Sequence, residues 1–88
     1  MDHITPTGRQ IAAARALTGL SQAEVASSAN ISVPTLKRME ASEGPATGMA
    51  NNVAAVVRAL EAAGITFLAE GEAVDGGPGV RLRNSNTP

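Results

Sequence analysis

GLSQAEVASSANISVPTLKRME, residues Gly19 to Glu40, decides how the rest of the chain is read. Ser21 and Glu24 stand at capping-box spacing: the serine hydroxyl can accept from the Glu24 N–H, while the glutamate side chain returns to the Ser21 N–H. A helix is predicted from there to about Ala29, with Val25 and Ala29 turned inward. Asn30 marks a turn, because asparagine is one of the few residues besides glycine that tolerates the left-handed region. Ile31 is expected to plug the angle between this helix and the next. Ser32 caps a further helix over residues 32–41, and Pro34 falls in its first turn, where the helical ladder needs no N–H. Leu36 and Met39 form its expected buried pair, which leaves Val33, Pro34, Lys37 and Arg38 outward.

Upstream, a helix is predicted from an N-cap at Thr7 to about Thr18. Ala12, Ala13, Ala14 and Ala16 supply high helix propensity. Ile11 and Ala14 share a stripe, with Leu17 expected to meet the core beside them, and Gly19 stops the helix. Met1 to Pro6 reads as a loose arm. Downstream, Ala41 to Ala46 forms a turn containing Gly44-Pro45. Thr47 is expected to cap a fourth helix running through Ala63, on the spacing of Val53, Val56, Val57 and Leu60, and Gly64 ends it. The period then changes. Ile65 to Leu68 and Val80 to Arg83 read as short strands joined by a glycine-rich hairpin loop from Glu70 to Gly79. Asn84 to Pro88 reads as a frayed end. The division is therefore residues 1–6 as an arm, 7–63 as a helical domain, 64–83 as a β element and 84–88 as a tail.

Composition narrows what such a chain can do. Phe67 is the one aromatic residue, so the core must be built from Ala, Val, Leu, Ile and Met. Without cysteine there is neither a disulfide staple nor a thiolate metal site. No cationic leader is visible, and no apolar run approaches the roughly 18 residues a membrane span needs, so a soluble cytoplasmic protein without membrane contact is expected. His3 has no neighbouring metal-ligating residues and is the sole imidazole, so neither a metal site nor a nucleophile–base set can be assembled; no cofactor and no enzymatic activity are expected. The net charge is −1, yet its distribution is uneven. Between Thr7 and Met39, Arg9, Arg15, Lys37 and Arg38 face one acid, Glu24; from Glu40 to Asp75, six acids face one base, Arg58. A cationic front and an acidic back would orient the molecule on a polyanion.

The ordered set Arg15, Gly19-Leu20-Ser21-Gln22, Glu24, Ala26, Ile31-Ser32, Thr35-Leu36, Arg38 and Glu40 resembles the Cro/C1-type (XRE) helix–turn–helix family of bacterial and phage regulators, over about Arg9 to Leu60. The resemblance implies a mainly α, four-helix, lambda-repressor-like domain, here followed by a short C-terminal β-hairpin or by strands exchanged within a dimer. It implies that Gln22 contacts a phosphate and that helix 32–41 lies in the major groove, with Ser32, Val33, Pro34, Thr35, Lys37 and Arg38 at the DNA-facing positions. Physical chemistry divides their labour. Arg38 can bond guanine bidentately and Val33 or Pro34 can touch a thymine methyl. Lys37 and Ser32 suit phosphate contact, which positions without specifying. Asn30 and Ser42 stand where the family commonly has glycine, so the loop after the third helix can differ. Val33 and Pro34 give an apolar front edge with few hydrogen-bonding readers, which shifts recognition towards DNA shape.

The expectation is a sequence-specific transcriptional regulator, a repressor, binding double-stranded DNA as a homodimer whose two recognition helices meet half-sites about 34 Å apart. The β element would assist dimerisation, since a lone two-stranded hairpin is marginal and its edges invite pairing. The alternative is a protein-interaction module, such as an antitoxin or accessory subunit, binding its partner through the acidic back half or the tail. Arg15 is expected to pair with Glu40 and brace helices one and three. Arg81 and Arg83 read as the exposed positions of a half-buried strand.

Overall fold

A computed structural model describes residues 5–71 and 76–83. Its elements are α1 (Gly8–Thr18), α2 (Gln22–Ala29), α3 (Val33–Glu40), α4 (Ala50–Ala62), β1 (Ile65–Leu68) and β2 (Gly79–Leu82). Four helices and a two-stranded antiparallel sheet enclose one small-residue core. Ile11 and Ala14 from α1 meet Val25 and Ala29 from α2, Leu36 and Met39 from α3, Val53, Val56 and Leu60 from α4, and Ile65 from β1.

Local signals set the helix ends. Thr7 Oγ1 accepts from the Gln10 N–H while Gln10 Oε1 accepts from the Thr7 N–H, a capping box. Ser21 and Glu24 repeat the arrangement on α2. Gly19 takes φ 78° and Asn30 takes φ 59°, the left-handed geometry that ends a helix and turns the chain. The Asn30 turn sends the chain from α2 into α3 with only residues 30–32 between them.

Three expectations for the helices fail. Thr47 does not cap α4, whose N-cap is Met49 without a side-chain bond. The Thr47 hydroxyl and N–H are engaged with Ser42 Oγ instead, and Gly48 at φ 124° breaks helical continuity between Thr47 and Ala50. Leu17 is 48% exposed rather than set beside the core; it follows buried Gln10 by two turns and so lies at the edge of the buried stripe, but it belongs to the last turn of α1, next to the Gly19 stop. Val33 is half-buried against the core rather than outward, because it sits three residues before Leu36 and shares its face.

The hairpin closes within one chain, Ile65 opposite Leu82 and Leu68 opposite Gly79, so β2 starts one residue earlier than expected. Arg83 lies past the strand, its N–H donating to Gly64 O and its guanidinium to Ile65 O and Glu61 O. Gln10 anchors the hairpin to α1: its buried Nε2 donates to Leu68 O at 2.9 Å and Gly79 O at 2.8 Å, one acceptor on each strand. The amide is thus fully used, with two donors on the sheet and its oxygen on the cap. The end of the expected loose arm is tied down as well, because Pro6 is buried and its carbonyl accepts from the Ala46 N–H. Residues 1–4 of the arm, 72–75 of the hairpin loop and the tail at 84–88 lie outside the described residues. Among the described residues no helix is long and apolar enough to cross a membrane.

Candidate functional site

The site is built on α3. Its N-cap Ser32 accepts from the Thr35 N–H at 3.2 Å, and the Ser32 and Thr35 hydroxyls lie 2.8 Å apart. Pro34 occupies the first turn. At the other end Ser42 Oγ donates to the Arg38 carbonyl at 3.3 Å and also meets the Thr47 hydroxyl, so a side chain ties off the helix there too. Both ends of this eight-residue helix are therefore held by side chains rather than left to fray.

Buried and exposed faces of α3 are opposed. Val33, Leu36 and Met39 turn to the core. Pro34, Lys37 and Arg38 cluster within about 100° on the opposite side, all exposed, as is Ser32 at the cap. Thr35 is half-buried between them, and its hydroxyl accepts from Arg38 Nη2 over a long 3.4 Å. Among the described residues neither Lys37 nor Arg38 forms a salt bridge. The helix presents two exposed cations that have no ion-pair partner among the described residues. A groove of about 470 Å³ lies elsewhere, along α4 against Pro6 and Ala46, and contains no residue of α3.

A second cluster sits beneath this surface. The Arg15 guanidinium forks onto Glu40, with Nε to Oε2 at 2.8 Å and Nη2 to Oε1 at 3.0 Å, and Nη1 donates to Leu20 O at 3.3 Å. The hydrogen bonds and charge of Glu40 hold the Arg15 pKa above its ordinary value, against the opposing effect of burial. Gln22, the first residue of α2, donates from Nε2 to Glu40 Oε1 at 3.1 Å. The expected Arg15–Glu40 brace is present; the tie to Gln22 was not foreseen from sequence, since no local spacing relates residues 22 and 40. By contrast the Arg9–Glu43 pair spans 3.9 Å with side chains 75% and 85% exposed.

Of the predicted site residues, Pro34, Lys37 and Arg38 share the exposed face of α3, Ser32 caps its N-terminus, and Thr35 is half-buried at the edge of that face. Val33 borders them from the core side, and Gln22 stands apart on α2. Arg81 lies opposite Thr66 on the hairpin, exposed and on a different element. Among the described residues no three His, Cys, Asp or Glu side chains gather as a metal site would require. No protein-family model matches the chain, and no curated protein is significantly similar to it.

Proposed function

We propose that this protein is a DNA-binding transcriptional regulator of the Cro/C1 (XRE) helix–turn–helix type, a repressor that acts as a homodimer on double-stranded DNA. The observation that carries the reading is the geometry of α3: a short helix, capped at both ends, whose cations Lys37 and Arg38 project on the side opposite its buried face. A helix of this kind fits the major groove of B-DNA, where Arg38 can read guanine and Lys37 can hold the backbone. Pro34 supplies an apolar contact at the leading edge, and Gln22 supplies a phosphate anchor from α2. Two-fold symmetry would set the recognition helices of two protomers about 34 Å apart, and the C-terminal hairpin, with Leu82 exposed, is the element we assign to dimerisation. Occlusion of promoter DNA is the simplest mechanism of repression.

The test is selection of duplexes from a random pool, followed by titration across a salt series. The expected product is a palindrome. A dimer making about six phosphate contacts should lose roughly a thousandfold in affinity between 50 and 200 mM salt. A flat salt response, or no duplex selected, would sink the reading. Recovery instead of a stoichiometric protein partner, retained when Lys37 and Arg38 are neutralised, would favour the interaction-module alternative.

Arg38→Ala is expected to cost about 1–3 kcal/mol of binding and to relax preference at one base pair per half-site. The folded state should hardly notice, since the side chain is exposed and makes one long hydrogen bond. Titration against the selected duplex and its single-base variants measures both effects. Unchanged discrimination would remove Arg38 from the list of base readers.

A further inference from the structure

We infer that Glu40 is a positioning residue for DNA contact: it sets the orientation of the Gln22 amide and so couples the end of α3 to the phosphate anchor at the start of α2. The inference rests on the regulator reading above. A carboxylate only accepts hydrogen bonds, so the Gln22 group facing Glu40 Oε1 at 3.1 Å must be the NH2 and not the carbonyl. That contact uses one hydrogen of Nε2 and leaves the other for an anionic oxygen. An unrestrained glutamine would present its carbonyl oxygen as readily, and a carbonyl repels a phosphate.

The carboxylate is itself held. Its side chain is 8% exposed, and the Arg15 fork occupies both of its oxygens. Arg15 is secured in turn on Leu20 O, in the segment leading to α2. Gln22 therefore hangs from a rigid frame that joins α1, the segment before α2 and the last residue of α3. Ordering a long amide side chain before binding removes a rotamer cost that association would otherwise carry. Two contact surfaces, one on each helix, are thereby kept in register through a residue that touches no DNA.

The experiment uses the full chain and the duplex it selects, with single methylphosphonate linkages placed in turn along each strand to neutralise one phosphate at a time. Wild-type protein should lose about tenfold in affinity at one linkage per half-site owing to Gln22, besides the linkages owing to α3. Gln22→Ala should bind about tenfold more weakly and be indifferent to that linkage. Glu40→Ala should show the same indifference while keeping its sensitivity at the α3 linkages, and the double variant should bind no worse than either single one. Glu40→Gln, whose carbonyl is favoured at the Oε1 position because Arg15 Nη2 and Gln22 Nε2 both donate there while Arg15 Nε alone donates at Oε2, should restore the sensitivity. Should Glu40→Ala fail to fold, the paired change Arg15→Met with Glu40→Met removes both buried charges together and still deprives Gln22 of its acceptor. Its expected result is again indifference at the Gln22 linkage.

Full sensitivity at that linkage in Glu40→Ala or in the paired variant overturns the inference. So does additivity of the Gln22 and Glu40 changes. A protein that needs Lys37 and Arg38 for its duplex but is unaffected by Gln22→Ala keeps the regulator reading and loses this one; failure to select any duplex overturns both.

Discussion

Gly8→Ala is expected to destabilise the fold by about 3 kcal/mol, and the sign is what makes the variant informative. Gly8 opens α1, where helix propensity alone favours alanine by up to about 1 kcal/mol. Packing says the opposite. A β-carbon at Gly8 would stand 2.2 Å from Met39 O and 2.5 Å from Ser42 O. Both are backbone atoms at the end of α3, so no side-chain rotation can relieve the clash. Gly8 also donates its N–H to Gly44 O at 3.1 Å, which pins α1 to the segment that must recede. A domain of this size has a total stability of about 4–13 kcal/mol, so the loss is a large part of it. The melting temperature should fall by about 12–24 °C. Thermal unfolding followed by far-ultraviolet circular dichroism reads the shift. A variant as stable as the parent would mean that α1 does not approach α3 this closely.

Arg15→Ala is expected to cost roughly 3 kcal/mol, because it strands a carboxylate and not because it deletes an attraction. The Glu40 side chain is 8% exposed and that of Arg15 25%, so the carboxylate would lose its charged partner while most of its own surface stays out of solvent. Among the described residues Gln22 Nε2 would be left as the carboxylate's only side-chain donor in place of three. The Leu20 carbonyl would lose its guanidinium contact as well. Arg15→Lys should recover part of the loss, since an ammonium keeps the charge but cannot engage both oxygens in a planar fork. Arg9→Ala is the matched control. Its partner Glu43 is the same kind of group, but at 3.9 Å and in the open, and removing such a pair changes stability by about 0–1 kcal/mol. Urea unfolding of the three variants gives the comparison directly. Equal losses for Arg15→Ala and Arg9→Ala would contradict the role assigned to burial.

Both variants bear on the candidate site, because α3 is only as well placed as its attachments. Gly8 lets α1 close on the end of α3, and Arg15 with Glu40 holds that end against α1 and the start of α2. The exposed face gains nothing from these contacts itself. It receives a fixed angle, which the proposed entry into a DNA groove would need in order to place Lys37 and Arg38 together.

Much of the architecture is legible in residues that act over three or four positions. The Ser21–Glu24 box, the left-handed Gly19 and Asn30, the Ser32 cap and the first-turn Pro34 all follow from interactions within one turn of chain. The buried pair Leu36 and Met39, and the exposure of Lys37 and Arg38 opposite, follow from the helical period. The errors lie where a nearby signal met a distant competitor. Thr47 has the chemistry of a cap, but Ser42 reaches its hydroxyl first. Leu17 is apolar and close to the stripe, but among the described residues nothing packs over the end of α1 closely enough to bury it.

By itself, the order of residues determined the four helices, where they stop and which side of α3 carries Lys37 and Arg38, since those properties are settled between neighbours along the chain. Tertiary structure alone decided that Gln10 bridges strands 58 and 69 positions away, that Gly8 must lack a side chain, and that Gln22 hangs from Glu40. These contacts join groups with no fixed separation in sequence. They exist only once the core has brought the elements together, because burial is what makes a partner for each polar group compulsory.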